Sequence, residues 1–315
     1  MTAEHTPETY PYPPRNPWGL VAIALLLGPA SLMLWLGRWR LALVYLLAEF
    51  AWFAAYIFAL LKGIDPVLLL GVAGAEWIFI GAAWLPKIIG LLHGLQIRTT
   101  AVQRPWYSRW YVAFPAAFLA ALLVAFFIRT FLFQPFNIPS ASNEPSLMVG
   151  DYVLVSKRAY GPGHPPQRGD IAVFRHPHDP KIDYVKRVIG LPGDRIKMIG
   201  GVLNINGVPV KMEPVTLPDV FKTESTETFF RETLPGGPSY AIANLTDEGG
   251  ADNTPEFLVP PGQYFVMGDN RDNSQDSRYM ELGMIPEENF IGPVVLLWWN
   301  SEGVPLTGRE GELRK

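Results

Sequence analysis

Apolar residues in this chain come first in four long blocks and only later in short alternating runs. Trp18–Leu36, Leu41–Leu61, Pro66–Pro86 and Tyr111–Phe131 are nearly free of charge. Each has about the ~20 residues that an α-helix needs to cross hydrocarbon. The first 16 residues are polar and proline-rich and read as a flexible tail. Residues 17–131 are therefore expected to form a membrane region of about four transmembrane helices. A cleaved leader would have a shorter apolar core behind a basic front, and would not occur four times. A buried soluble bundle is the alternative, and the length and number of the charge-poor blocks speak against it. Glu49 and Glu76 are isolated acids inside the second and third blocks. Such groups turn toward a bundle interior. Ile88–Ile97 is apolar but too short to span, and reads as a stretch lying along the membrane surface.

From about Pro135 the pattern changes. Tyr152–Val155, Ile171–Phe174, Tyr184-Val185, Arg195–Met198 and Tyr264–Met267 are short β-rich runs bounded by Gly, Pro or Asp. Gly-Asp pairs at 150–151, 169–170, 193–194 and 268–269 mark turns. Asn206-Gly207 reads as a hairpin turn. The expectation is a mainly β domain over residues 132–315 with few helices. Within it, Glu213–Phe257 is polar and rich in Thr, Glu, Pro and Gly. It reads as an inserted hairpin or small cap rather than core.

Charge orients the chain. Arg38 and Arg40 lie between the first two blocks, and Lys87, Arg98, Arg104 and Arg109 lie between the last two. Basic loops stay in the cytoplasm, so both termini and everything after Phe131 are expected outside, with the protein in the inner (plasma) membrane. A net charge of -3 gives no nucleic-acid footprint, and the lipid bilayer is the expected partner surface. The chain has no cysteine, which excludes thiol catalysis, disulfides and cysteine-ligated metals. Ten Trp and 18 Phe suit interfacial belts. Trp298-Trp299 is either core or a lip resting on the membrane, and Phe131, Phe133 and Phe136 are open to the same two readings.

Candidate chemistry starts at Ile138-Pro139-Ser140-Ala141-Ser142, just after the last apolar block. At ~3.3 Å per extended residue, Ser142 lies at most roughly 36 Å of chain from the membrane exit. A serine hydroxyl needs a neighbouring base. His164, His176 and His178 sit in proline-rich loops, and nothing specifies a Ser-His-Asp triad or a metal set among them. The other solution is a lysine made neutral by burial. Lys186 follows Tyr184-Val185 and precedes Val188-Ile189. On a strand it shares a face with Tyr184, while Val185 and Arg187 share the other. Read without context, a strand lysine is more often a surface residue.

Four boxes decide between these readings. Phe131–Ser142 with Gly150–Val153, Arg168–Phe174, Tyr184–Asp194 and Gly268–Arg278 occur in one order across residues 131–292. They resemble the conserved boxes of bacterial type I signal (leader) peptidases, a family of Ser-Lys dyad serine proteases. The resemblance implies a multi-span helical membrane region followed by a mainly β catalytic domain of signal-peptidase type. It implies removal of N-terminal signal peptides from exported preproteins after small residues, as in Ala-x-Ala, with no metal or organic cofactor. It gives Ser142 as nucleophile, Lys186 as base, and the Ser140 hydroxyl with the Ser142 N–H as oxyanion donors. Ser274 would hydrogen-bond the Lys186 amine, and Asp276 and Arg278 would pair to brace that loop, with Gly268 and Asp269 shaping its turn. Phe136, Ile138, Asn143, Leu147, Tyr184 and Val185 match the substrate-pocket positions. A monomer is expected.

Two positions depart from the family pattern. Asn143 stands where methionine is usual, and Ser146 where threonine is usual. The second keeps its hydroxyl. The first puts an amide at the rim of the small-residue pocket and points to an altered substrate preference. A soluble self-cleaving protease of the repressor type would share the dyad but not the apolar blocks. A membrane scaffold without activity would rest on Asn143 alone.

Overall fold

A computed structural model describes residues 16–61, 75–97, 106–218, 221, 228–246, 249–306 and 309. The chain divides into two compact units, Met1–Phe126 and Phe127–Lys315.

The first unit contains α1 (Pro17–Trp35), α2 (Trp39–Leu61), α3 (Ala75–Ile97) and α4 (Trp110–Phe127). Asn16 caps α1, its side chain accepting from the Trp18 N–H at 3.0 Å, with Pro17 as the first helical residue. The first apolar block does not form one straight span. Gly28 adopts φ 85° and ψ 167° inside α1. Pro29 has no N–H to offer the Leu25 carbonyl. Lys87 Nζ on α3 donates to that oxygen instead, at 3.2 Å. The Trp35 ring lies 3.3 Å from where a Cβ on Gly19 would be, although a straight helix would separate the two residues by about 24 Å. Residues 17–27 and 29–35 therefore fold back on each other, and neither arm is long enough to cross hydrocarbon.

Small residues let α3 approach this hairpin. A Cβ on Gly90 would sit 2.2 Å from Pro29, and one on Gly94 would sit 2.8 Å from Leu32. The Glu49 carboxylate reaches the break itself, 3.1 Å from where a Gly28 Cβ would be. Residues 66–74 of the expected third block lie outside the described residues, as does the side chain of Glu76. Ile88–Ile97 is a correction: it is the second half of α3 rather than a separate surface stretch. Among the described residues, Tyr111–Leu132 is the helix long and apolar enough to cross a membrane by length and composition. It ends in a π turn, Ile128–Leu132, one residue beyond the expected exit.

The second unit is mainly β. Its strands are β1 (Phe133–Asn137), β2 (Asp151–Ser156), β3 (Ile171–Arg175), β4 (Asp183–Gly190), β5 (Arg195–Ile199), β6 (Val202–Ile205) and β7 (Val208–Pro209). Then come β8 (Lys211–Val215), β9 (Thr228–Thr233), β10 (Ser239–Asn244), β11 (Phe257–Leu258), β12 (Gln263–Met267), β13 (Ile285–Pro286) and β14 (Phe290–Asn300). Seven of them form one sheet in the order β1-β2-β14-β3-β4-β12-β13. Two smaller sheets run β11-β5-β6-β7 and β10-β9-β8. Asn206 and Gly207, at φ 54° and 79°, make the tight turn between β6 and β7.

Period-two burial builds the core beneath the sheet. Val153 and Val155 of β2 turn inward onto Ile171 and Val173 of β3, Val294 and Leu297 of β14, Ile138 and Leu147. The expected separation of Glu213–Phe257 from the core is corrected. Leu234, Tyr240 and Ile242 are fully buried in a cluster with Ile189, Ile196, Phe265 and Met267. Leu234 and the buried run Tyr240–Ala243 of β10 are short apolar stretches inside a segment otherwise rich in polar residues, which is why composition alone made it read as a cap.

Candidate active site

Three local structures converge. The first is the 3-10 turn Ala141–Asn143, which follows β1 and carries Ser142. The second is β4, which carries Lys186. The third is the loop after β12, whose Asn270 N–H donates to the Ser142 carbonyl at 3.2 Å. Gly268 makes this last contact possible, because a Cβ there would lie 2.3 Å from both the Ser142 carbonyl oxygen and Ser274 Oγ.

Lys186 Nζ is 2.6 Å from Ser142 Oγ. Ser140 Oγ is 3.3 Å from the same atom. Lys186 is 4% exposed and sits opposite Ala172 across the β3–β4 ladder, with Tyr184 opposite Phe174. Directly opposed residues share a face. The lysine stem therefore crosses an apolar patch that includes Ala172, Phe174, Val188 and Val266. Burial pushes the amine down from the ordinary lysine value to about 8. Asp276 and Asp269 pull it partly back, and Arg278 pushes it further down.

Behind the amine lie carboxylates already matched to guanidinium groups. Arg278 grips Asp276 through Nε and Nη2 at 2.8 and 2.9 Å, and the Gly268 N–H donates to the same carboxylate at 3.0 Å. Burial alone would raise the Asp276 carboxyl, but the Arg278 charge and these hydrogen bonds outweigh it and hold it low. Arg187 grips Asp269 at 2.8 and 2.6 Å and also donates to the Gly169 carbonyl and to Ser146 Oγ. Arg271 and Tyr240 both donate to Glu232 of β9. Through Arg271 the 213–257 segment is tied to the loop that carries Ser274 and Asp276. Ser274 itself departs from expectation. Its Oγ is buried and lies close enough to the Asp276 carboxylate to help hold it low, but among the described residues it forms no hydrogen bond to Lys186.

A cleft of about 580 Å³ opens over Ser142 and Lys186. Phe136, Ile138, Asn143, Tyr184 and Val185 line it together with Ser140, as expected by position. Leu147 does not line it. It is 0% exposed and packs beneath Ile138, so its apolar side chain serves the core. Asn137, Pro139, Ile182, Asp183, Asn273 and Gln275 also line the cleft, though sequence reasoning gave them no role. Asn273 and Gln275 flank Ser274 within the last box, which was the available signal. None of the lining residues is a histidine. Trp298 and Trp299 are half-exposed and stack around Tyr152, which settles them as surface rather than core.

Comparison with known proteins identifies the family of this chain. The family described as "Signal peptidase, peptidase S26" matches residues 109–299. Signal peptidase I of Pseudomonas fluorescens is 40% identical over 196 residues, covering 54% of this chain and 66% of the relative. Signal peptidase I of Rickettsia conorii is 37% identical over 201 residues, covering 56% of this chain and 74% of the relative. The chain thus spans just under two thirds of the length of the Pseudomonas relative. A crystal structure of a signal peptidase I from Enterococcus faecalis matches at 29% identity over 41% of this chain and 96% of that chain, with a TM-score of 0.25. On the extent of the family match and the identity to the Rickettsia relative, the chain belongs to the signal peptidase family, peptidase S26.

Proposed function

We propose that this chain is a membrane-bound serine endopeptidase that removes N-terminal signal peptides from exported preproteins, with Ser142 and Lys186 as its dyad. The observation that carries the reading is the 2.6 Å approach of a buried lysine amine to the Ser142 hydroxyl. In its neutral form the amine accepts the hydroxyl proton as Oγ attacks the scissile carbonyl. The proton then passes to the leaving amine, and the same base activates the water that releases the acyl-enzyme. The Ser140 hydroxyl and the Ser142 N–H are the donors for the developing oxyanion.

The substrate lies extended along β4. Pairing of β12 to β4 runs from Gly190 to Arg187, so among the described residues no strand pairs that edge of Asp183–Lys186 at the cleft, where Asn143 Nδ2 meets the Val185 carbonyl. Strand addition suits such an edge. The apolar walls at Ile138 and Val185 favour small side chains, consistent with Ala-x-Ala. Phe131, Val149, Trp298 and Trp299 are exposed and apolar, and they rest on the outer membrane surface. Anchoring is by α4 together with α2 and α3. With α1 doubled back, this reading has three crossings, by α2, α3 and α4. Residue 16 then falls on the side of Arg38 and Arg40, which the positive-inside rule makes cytoplasmic.

The test is cleavage of a preprotein by the full chain in detergent. The wild type is expected to release the mature protein, and Ser142→Ala and Lys186→Ala are each expected to abolish release. Full activity in either variant removes the dyad, and no cleavage by the wild type removes the peptidase reading.

A further inference from the structure

The turn that carries Ser142 also holds a polar group that the dyad does not use. Asn143 is 2% exposed and lines the cleft. Its amide has only one sensible orientation. Nδ2 lies 2.8 Å from the Val185 carbonyl oxygen, which can only accept, so the NH2 group faces β4 and Oδ1 faces away. Oδ1 is closed off from solvent and has no hydrogen-bond partner among the described residues. A buried acceptor without a donor forfeits its hydration and gains nothing in return, an imbalance that a donor entering the cleft would relieve.

The arriving donor has a constrained chemistry. Main-chain N–H groups of an extended substrate pair with main-chain carbonyls of a strand edge. The acceptor here is instead a side chain directly after the nucleophile, beside the apolar walls formed by Ile138 and Val185. A side chain entering there must be small, and must carry its own hydrogen. We infer that Asn143 makes the cleft select serine over alanine at the substrate residue that supplies the scissile carbonyl. This inference rests on the peptidase reading above. The serine hydroxyl donates to Oδ1, whereas alanine leaves Oδ1 unpaired. A site that hydrogen-bonds a substrate hydroxyl discriminates against the analogue lacking it, while an apolar wall alone does not. Methionine at position 143 would present no such acceptor.

Two otherwise identical preproteins, with serine or alanine at that residue, test this with the full chain in detergent. Wild type is expected to cleave the serine form with a kcat/KM about 3- to 10-fold above the alanine form, the range for one neutral hydrogen bond. Asn143→Met is expected to bring that ratio to one or below, mainly through loss on the serine form. An unchanged ratio in Asn143→Met overturns the inference while leaving the peptidase reading intact. Should Asn143→Met cleave neither form, the wild-type ratio decides: above one sustains the inference, and one or less overturns it. Wild type cleaving neither form removes the peptidase reading and this inference with it.

Discussion

Lys186 and Arg187 are neighbours on β4, both cationic by type and both buried, at 4% and 1% exposure. Their surroundings differ completely. Arg187 meets Asp269 with two hydrogen bonds, donates to Gly169 and Ser146, and lies 3.8 Å from the centre of the Tyr240 ring. Lys186 forms no ion pair among the described residues, and its amine hydrogen-bonds Ser142 Oγ. The strand's alternation sends the two side chains to opposite faces, so each can have its own environment. A guanidinium cannot shed its proton inside a protein, so it must be paired. An ammonium can shed its proton, and leaving it unpaired in an apolar setting is how a base is made. On the proposed dyad reading, the contrast separates the group that reacts from the groups that hold the loop behind it.

The largest expected effect comes from making the first residue resemble the second. Lys186→Arg places a permanent charge beside Ser142 and is expected to lower single-turnover cleavage by about 10⁴-fold or more. Activity within tenfold of wild type would mean that no neutral base is needed. On the other face, Asp269→Asn strands the Arg187 charge and is expected to reduce stability by about 3–5 kcal/mol, read from the urea midpoint. A loss below about 1 kcal/mol would show that the pair is not a brace.

Lys186→Met should act in the opposite direction. The folded-state pKa of this lysine lies below its unfolded value, so below pH 8 folding must keep a proton in an unfavourable place or release it. That penalty is fully present below about pH 8 and fades as pH rises toward the unfolded value near 10.4. Removing the amine should therefore raise stability at pH 7 by on the order of 2 kcal/mol, and by nothing above pH ~10.5. Thermal melts at the two pH values measure this, and equal shifts at both would contradict it. The gentlest probe is the pH profile of the wild type. kcat/KM should climb through a midpoint near 8 and level off above it. A curve still rising at pH ~10 would mean an ordinary solvated lysine.

Legibility differed between the two units for a physical reason. Short β runs and Gly-Asp turns are local patterns, and β2, β3, β5 and β12 lie where alternation and turn residues put them. The same local logic failed for α1, because a proline and a glycine inside an apolar block are compatible with either a kinked span or a hairpin. Only the neighbours that accept the freed groups, Lys87 for the Leu25 carbonyl and Gly90 for the Pro29 ring, choose between them. The 213–257 segment was misread for a related reason, while Leu147, assigned to the pocket through the resemblance alone, packs in the core. Burial belongs to the surface a residue meets, and composition does not record that surface.

The linear order of residues was enough to divide a helical apolar part from a β part and to rule out thiol chemistry. Those conclusions follow from residue type and short-range spacing, which the chain carries with it before folding, whereas Ser142 and Lys186 were singled out only through the resemblance of the four boxes to a known family. Tertiary structure alone decided that the two groups meet at 2.6 Å, that Arg187 rather than Lys186 receives the carboxylate, and that Asn143 keeps an unanswered acceptor in the cleft. Each of these depends on atoms contributed from positions more than 40 residues apart, and only the folded sheet sets such distances.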